Sequence, residues 1–154
     1  VRRCWSSIIN CNVLTLDELK KLVEKDLPIN DNHLDTESLR SQELYAKYSD
    51  IKTKFEFLVF KAKSEQKILY KNKWEYYSGR SDAKVYREKP FDLKILKADL
   101  SIYIDADEEM IDATNKILYL ETIIKYCDSI LKSITSRGWD IKNAIEWRKF
   151  EAGK

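Results

Sequence analysis

Residues 70–80 read YKNKWEYYSGR. Lys71, Lys73 and Arg80 alternate there with Tyr70, Trp74, Tyr76 and Tyr77, and a Ser-Gly pair then breaks the structure that carries them. Cations meet phosphates and aromatic faces stack flat bases, so this mixture suits single-stranded nucleic acid of any sequence. The same residues also suit a helix end packed into a core, with the lysines solvating its edge. Lys67, Lys71 and Trp74 share one helical face by spacing, with Lys73 and Tyr77 on a neighbouring one. Pattern alone leaves the two readings level.

The chain has little else with which to do chemistry. DADEE at 105–109 gathers four carboxylates, but with no partner histidine the spacing reads as a helix start. His33 is the only histidine, which removes most histidine-based acid–base and nucleophilic schemes and makes a metal site improbable. Ser78 lies in no nucleophile elbow. No P-loop and no GxGxxG is present, so no cofactor is called for. Cys4, Cys11 and Cys127 are odd in number and form no CxxC. With no secretory signal or long apolar run, a reduced, cytosolic setting is expected, with no membrane. Cys127 reads as a small core residue.

The elements that must position YKNKWEYYSGR are helices. The 154 residues include only three glycines and two prolines, too few for a turn-rich β fold. Residues 1–12 show no periodicity, and 1–13 are expected to be a disordered or non-native extension. Thr15-Leu-Asp-Glu18 fits a capping box opening a short helix that stops by Asp26, before Pro28. From about Thr36 to Tyr77 there is no Gly or Pro. Leu44, Tyr48, Ile51, Phe55, Leu58, Ala62, Glu65 and Leu69 follow steps of four and three, a heptad seam that Glu65 interrupts. Such a helix would be about 60 Å long. Gly79 suits a left-handed stop.

Residues 91–104 read either as short strands or as a broken helix. Asp105 and Glu108 give a second start signal. Met110, Ala113, Ile117, Leu120, Ile124, Cys127, Leu131 and Ile134 form the stripe of the helix it opens, expected to end at Ser136-Arg137-Gly138. A last helix then carries Ile141, Ile145, Trp147 and Phe150. Two long stripes in so short a chain call for a helical hairpin, self-association, or both.

Charge is unevenly laid out. Residues 61–89 hold nine Lys/Arg against four acids, and 101–131 hold seven acids against two lysines. Such separated fields steer a polyanion to one face of a chain whose net charge is only +2.

Tyr76-Tyr77-Ser78-Gly79-Arg80, preceded by Lys71-x-Lys73, resembles the DNA-binding motif of the UvsY family, recombination mediators of T-even-type phages. So does the C-terminal run Ser136-Arg137-Gly138 … Ile141-Lys142 … Arg148-x-Phe150-Glu151-Ala152-Gly153-Lys154. LDEL and KDL within 16–27 suit the family's N-terminus, and the likeness spans about 14 to 154. The resemblance implies a mainly α protein without enzymatic activity. It would bind single-stranded DNA and help load a RecA-like recombinase, UvsX, onto strands covered by the phage single-strand-binding protein. It also implies a ring-like homo-oligomer, hexamer or heptamer, acting in the cytoplasm of the infected bacterium.

On that resemblance Lys71 and Lys73 are the expected phosphate contacts, assisted by Lys67, Arg80, Tyr76 and Tyr77. The family commonly has arginine at the second position, so Lys73 keeps the charge and loses the guanidinium fork. Residues 14–104 are expected to form the DNA-binding region and 105–154 the assembly region. In the latter, Ile117, Leu120, Ile124, Leu131, Ile134, Ile141, Ile145 and Phe150 would hold subunits together. A purely structural coiled coil, or a helix-turn-helix duplex reader built around Gly138, are the alternatives.

Overall fold

The computed structural model describes residues 14–153, and all regular elements among them are helical. They are α1 (Leu16–Asp26), α2 (Leu34–Tyr77), α3 (Ala83–Glu88), α4 (Leu100–Asp105) and α5 (Glu108–Glu151). The expected extension at 1–13, with Cys4 and Cys11, lies outside the described residues. None of the described helices is long and apolar enough to cross a membrane.

The start of α1 follows from its sequence. The Thr15 hydroxyl accepts from the Glu18 amide, and the Glu18 carboxylate accepts from the Thr15 amide at 2.7 Å. Two otherwise orphaned donors are thereby satisfied. The seam on α2 also forms: Leu44, Tyr48, Phe55 and Ala62 are buried, as is Val59 beside the half-buried Leu58.

The chain divides into two compact units, and α2 and α5 contribute to both. One unit runs to Ile51 and resumes at Tyr126; the other spans Lys52–Lys125. In the first, Leu19, Tyr48 and Cys127 are fully buried, with Ile130, Ile134 and Ile141 almost so. Arg137, itself buried, pairs with Glu37 and donates to the Leu27 carbonyl, closing the end of α1 onto the start of α2. Asp26 accepts from Lys47 at 2.5 Å and from Tyr48 at 3.2 Å.

In the second unit the α2 and α5 segments run antiparallel. Lys63 pairs with Glu121 at 2.7 Å, Gln66 donates to Thr114 at 2.9 Å, and Lys73 meets Asp107 at 2.9 Å. Phe55, Val59, Ala62, Ile104, Met110, Ile117, Leu120 and Ile123 fill its core. Glu65, expected to interrupt the seam, lies on the surface within 3.4 Å of Lys116.

Of the two readings left open for 91–104 the structure has the helical one: 91–96 are irregular and Leu100–Asp105 is a turn and a half of helix burying Leu100 and Ile104. Two local expectations are corrected. The residue that caps α5 is Asp107 rather than Asp105, because Asp107 accepts from the Glu109 amide at 3.0 Å while Asp105 ends α4. Gly138 does not divide the last helix, and α5 runs unbroken for 44 residues. A glycine inside a helix costs only about 1 kcal/mol, and the buried sequence Ile134, Arg137, Ile141 keeps its spacing across the site.

Candidate nucleic-acid interface

The last turns of α2 end in a glycine stop. Gly79 has φ +78°, the Arg80 amide donates to the Glu75 carbonyl at 2.8 Å, and the Gly79 amide donates to Tyr76 at 3.2 Å. This paired bonding satisfies carbonyls that a helix end otherwise leaves bare and turns the chain back sharply. The Ser78 hydroxyl is also spent on the helix end, donating to the Glu75 carbonyl at 3.2 Å. Arg80 is thereby returned over its own helix, its guanidinium 5.0 Å from the centroid of the partly exposed Trp74 ring.

The other expected contacts fall into two groups. Lys67 and Lys71 are exposed; the Lys71 side chain is 73% accessible and its ammonium sits 3.6 Å from Glu75 one turn on. An exposed pair of that kind is weak and readily exchanged for another anion.

Lys73 stands apart, with only 13% of its side chain accessible. Its ammonium lies 2.9 Å from Asp107 and 3.2 Å from Glu109. Tyr77 donates to the other Asp107 oxygen at 2.8 Å, and Lys89 reaches Glu109 at 3.0 Å. The acids at the start of α5 therefore do more than cap a helix, since they also hold the end of α2.

The titration directions follow from this packing. Burial, then the hydrogen bond to Asp107, pushes the Tyr77 phenol up to about 12. For Asp107 the largest single influence, burial, works upward. The hydrogen bonds from Lys73 and Tyr77, with the Lys73 charge and the Glu109 amide, hold the carboxyl below its ordinary value all the same. Glu109 is held low first by Lys89 and then, against burial, by Lys73.

Tyr76 is the hub of an aromatic cluster. Its ring centroid lies 5.0 Å from Tyr77, 5.5 Å from Tyr86 and 5.5 Å from Phe91. The Tyr76 hydroxyl donates to the Lys89 carbonyl at 3.2 Å. Tyr86 donates to the Tyr76 carbonyl at 2.6 Å and accepts from the Ser81 amide at 3.3 Å. The aromatic residues of the motif thus split: Trp74 stays at the surface under a cation, whereas Tyr76 and Tyr77 hold the turn together.

Sequence reasoning missed Tyr86 and Phe91, and saw Asp107 and Glu109 only as caps. Two aromatics five residues apart in a largely polar stretch, one on α3 and one just beyond it, are the available signal for the first pair. Nothing local signals that Asp107 and Glu109 reach Lys73.

The residues expected to join subunits are placed unevenly on α5. Ile117, Leu120, Ile134 and Ile141 are buried among the chain's own side chains. Ile124, Leu131 and Ile145 are half-buried, and their neighbours Ile123 and Ile130 take the inner positions instead. Phe150 is 74% accessible, its ring 5.8 Å from that of the exposed Trp147.

The arrangement can hold phosphates with open cations and stack a flat ring on Trp74. The family model described as "Recombination, repair and ssDNA binding protein UvsY" matches residues 22–154. The recombination protein uvsY of Enterobacteria phage T4 is 26% identical over 141 residues, covering 92% of this chain and all of that protein. Crystal structures of the bacteriophage T4 recombination mediator protein UvsY share the fold. The lattice type II form gives a TM-score of 0.79 at 25% identity, over 90% of this chain and 98% of that one. The type IV form gives 0.77 at 23% identity, over 90% and 99%.

Proposed function

This chain belongs to the UvsY family of recombination, repair and ssDNA binding proteins, and on that premise we propose that it grips single-stranded DNA at the glycine-stopped end of α2. The observation that carries the reading is Arg80 held over the half-open face of Trp74, with exposed Lys71 and Lys67 on the same stretch of helix. Phosphates meet Lys67, Lys71 and Arg80. A base stacks at Trp74, where the weakly hydrated guanidinium adds to the attraction. Lys73, Tyr76 and Tyr77 act by position: they fix the helix end that presents the open groups.

In this reading the protein is a mediator, not an enzyme. It promotes loading of a RecA-like recombinase of the UvsX type onto strands covered by single-strand-binding protein, in the cytoplasm of a phage-infected bacterium. A cluster of three cations is weak alone. In a hexamer or heptamer the clusters engage one strand together, and avidity replaces affinity. Assembly belongs to the 105–154 region. With Ile117, Leu120, Ile134 and Ile141 enclosed in the protomer, contacts between subunits fall to Ile124, Leu131, Ile145 and Phe150, joined by Trp147.

Fluorescence anisotropy of a labelled oligo-dT and of an equally long duplex, across a salt series, tests the reading. Tight single-strand binding with a steep salt slope, reduced by the Lys71→Ala/Arg80→Ala pair, is expected. Equal affinity for duplex, or a double variant that binds like wild type, would overturn it. Loading is tested separately, by the recombinase's strand-dependent ATP turnover on strands already covered by single-strand-binding protein.

A further inference from the structure

Directly after the Gly79 turn, a cavity of about 420 Å³ opens between the end of α2 and residues 90–95. Its volume falls within the roughly 300–1,000 Å³ of small-molecule sites. Tyr77, Tyr86 and Phe91 line it, and each of the three rings lies within 5.5 Å of Tyr76. Tyr77 is further tied to Asp107 and Tyr86 to the Tyr76 carbonyl. These walls are therefore set before any ligand arrives, which removes an ordering cost from binding.

The opposite wall is different. Residues 91–95 donate no hydrogen bond from their backbone and accept none, among the described residues. Their backbone donors and acceptors are unused, and the same residues line the cavity with the aromatic rings. Lys94, exposed, lies in the same lining.

We infer that this cavity takes one unstacked base of a bound single strand, against Tyr77, Tyr86 and Phe91, while Lys94 meets a neighbouring phosphate. The inference rests on the single-strand reading above and extends it from phosphate contacts to a seat for a base. Three features fit that occupant. Aromatic walls suit any base face, free backbone groups match the mixed donor and acceptor edge of a base, and Arg80, next along from the lining residue Gly79, brings the strand to the mouth. A flipped base would also fix the strand's register on each subunit, which phosphate contacts alone do not.

The test compares an oligo-dT with an abasic oligomer of equal length and charge, at fixed salt, on the full assembled protein. The abasic strand loses the base in the cavity and the base at Trp74, and is expected to bind at least about 5-fold more weakly, the lower bound for one stacked base. Phe91→Leu keeps the apolar volume and removes the ring. It is expected to reduce that difference severalfold, leaving the share owed to Trp74, with the salt slope unchanged because the phosphate contacts remain. In the wild type, a single 5-iodouracil in the strand should photocrosslink within residues 77–94.

Equal binding of the two strands by wild type would overturn the base seat together with the stacking at Trp74, and leave only the phosphate contacts of the single-strand reading. Crosslinks confined to Trp74, or an undiminished difference in Phe91→Leu, would overturn the base seat alone. A strand that does not bind at all would sink both.

Discussion

Asp26 in one compact unit and Asp107 in the other have the same two kinds of partner. Asp26 accepts from Lys47 and Tyr48, and Asp107 from Lys73 and Tyr77. Both carboxyls are held below their ordinary values although burial, the largest single influence on each, works against it. The surroundings differ. Around Asp26 the nearby charges are matched internally, with Arg40 and Glu37 paired and Arg137 drawn inside. Around Asp107 one lysine is withheld while Lys67, Lys71 and Arg80 on the same stretch stay open. A lysine–tyrosine–carboxylate knot is thus a structural device in both units, and the second lies beside the exposed Lys71 and the Arg80–Trp74 pair.

The largest expected effect breaks the closed unit. Arg137→Ala leaves the buried Glu37 with only the half-exposed Arg40 at 3.4 Å and the Leu27 carbonyl without its donor, and should cost about 3 kcal/mol, the low end for a broken buried pair. The urea midpoint followed by circular dichroism reads it; a loss under about 1 kcal/mol would mean water replaces the guanidinium.

Next come the two knots. Asp26→Asn and Asp107→Asn should each cost about 1–3 kcal/mol by the same measurement. Because both folded carboxyls lie low, their contribution is complete at neutral pH. It declines as pH falls through the ordinary carboxylate range near 4 and is gone below the lowered values. Each Asn variant should accordingly flatten part of the acid side of the stability profile. A variant whose acid profile matches wild type would remove that carboxylate from the comparison.

Two glycines give smaller effects of opposite sign. Gly79→Ala forces a side chain into a left-handed turn at φ +78° and should destabilise by about 1 kcal/mol. Gly138→Ala meets nothing within 4 Å in a regular helix and should stabilise by up to about 1 kcal/mol. Paired thermal melts check both signs.

The finest test separates two lysines two residues apart. Lys71→Ala should lower the log–log salt slope of single-strand binding by about 0.7 with no change in melting temperature. Lys73→Ala should do the reverse, lowering stability and sparing the slope. Exchanged outcomes would make Lys73 the phosphate contact.

Much of this was legible from local signals. The Thr15/Glu18 box, the extent of α2, the stop at Gly79 and the burial of Cys127 each follow from residues within a turn or two of one another. The errors come from elsewhere. Asp105 and Asp107 both resemble caps, and only which amide points at which carboxylate decides between them. Gly138 looks like a stop because propensity is read singly, whereas the buried stripe on either side carries the helix through. Ile123 and Ile130 displace Ile124 and Leu131 because a helix of 3.6 residues per turn drifts against a strict seven-residue repeat. The division of labour between Lys71 and Lys73 depends on carboxylates more than thirty residues away, which no spacing within the motif reveals.

The antiparallel run of α2 against α5 also bears on the order in which the chain folds. Tyr77 and Asp107 are 30 residues apart in the chain and Gln66 and Thr114 are 48, whereas Arg137 reaches Glu37 across 100 and Leu27 across 110. Closing a longer loop costs more entropy, about 0.6 kcal/mol for each doubling, and contacts near in sequence form sooner. By that measure the Asp26–Lys47 contact, 21 residues apart, and the Tyr77–Asp107 contact are both expected early in folding. The clamp at Arg137 is expected to set last, when both knots are already in place.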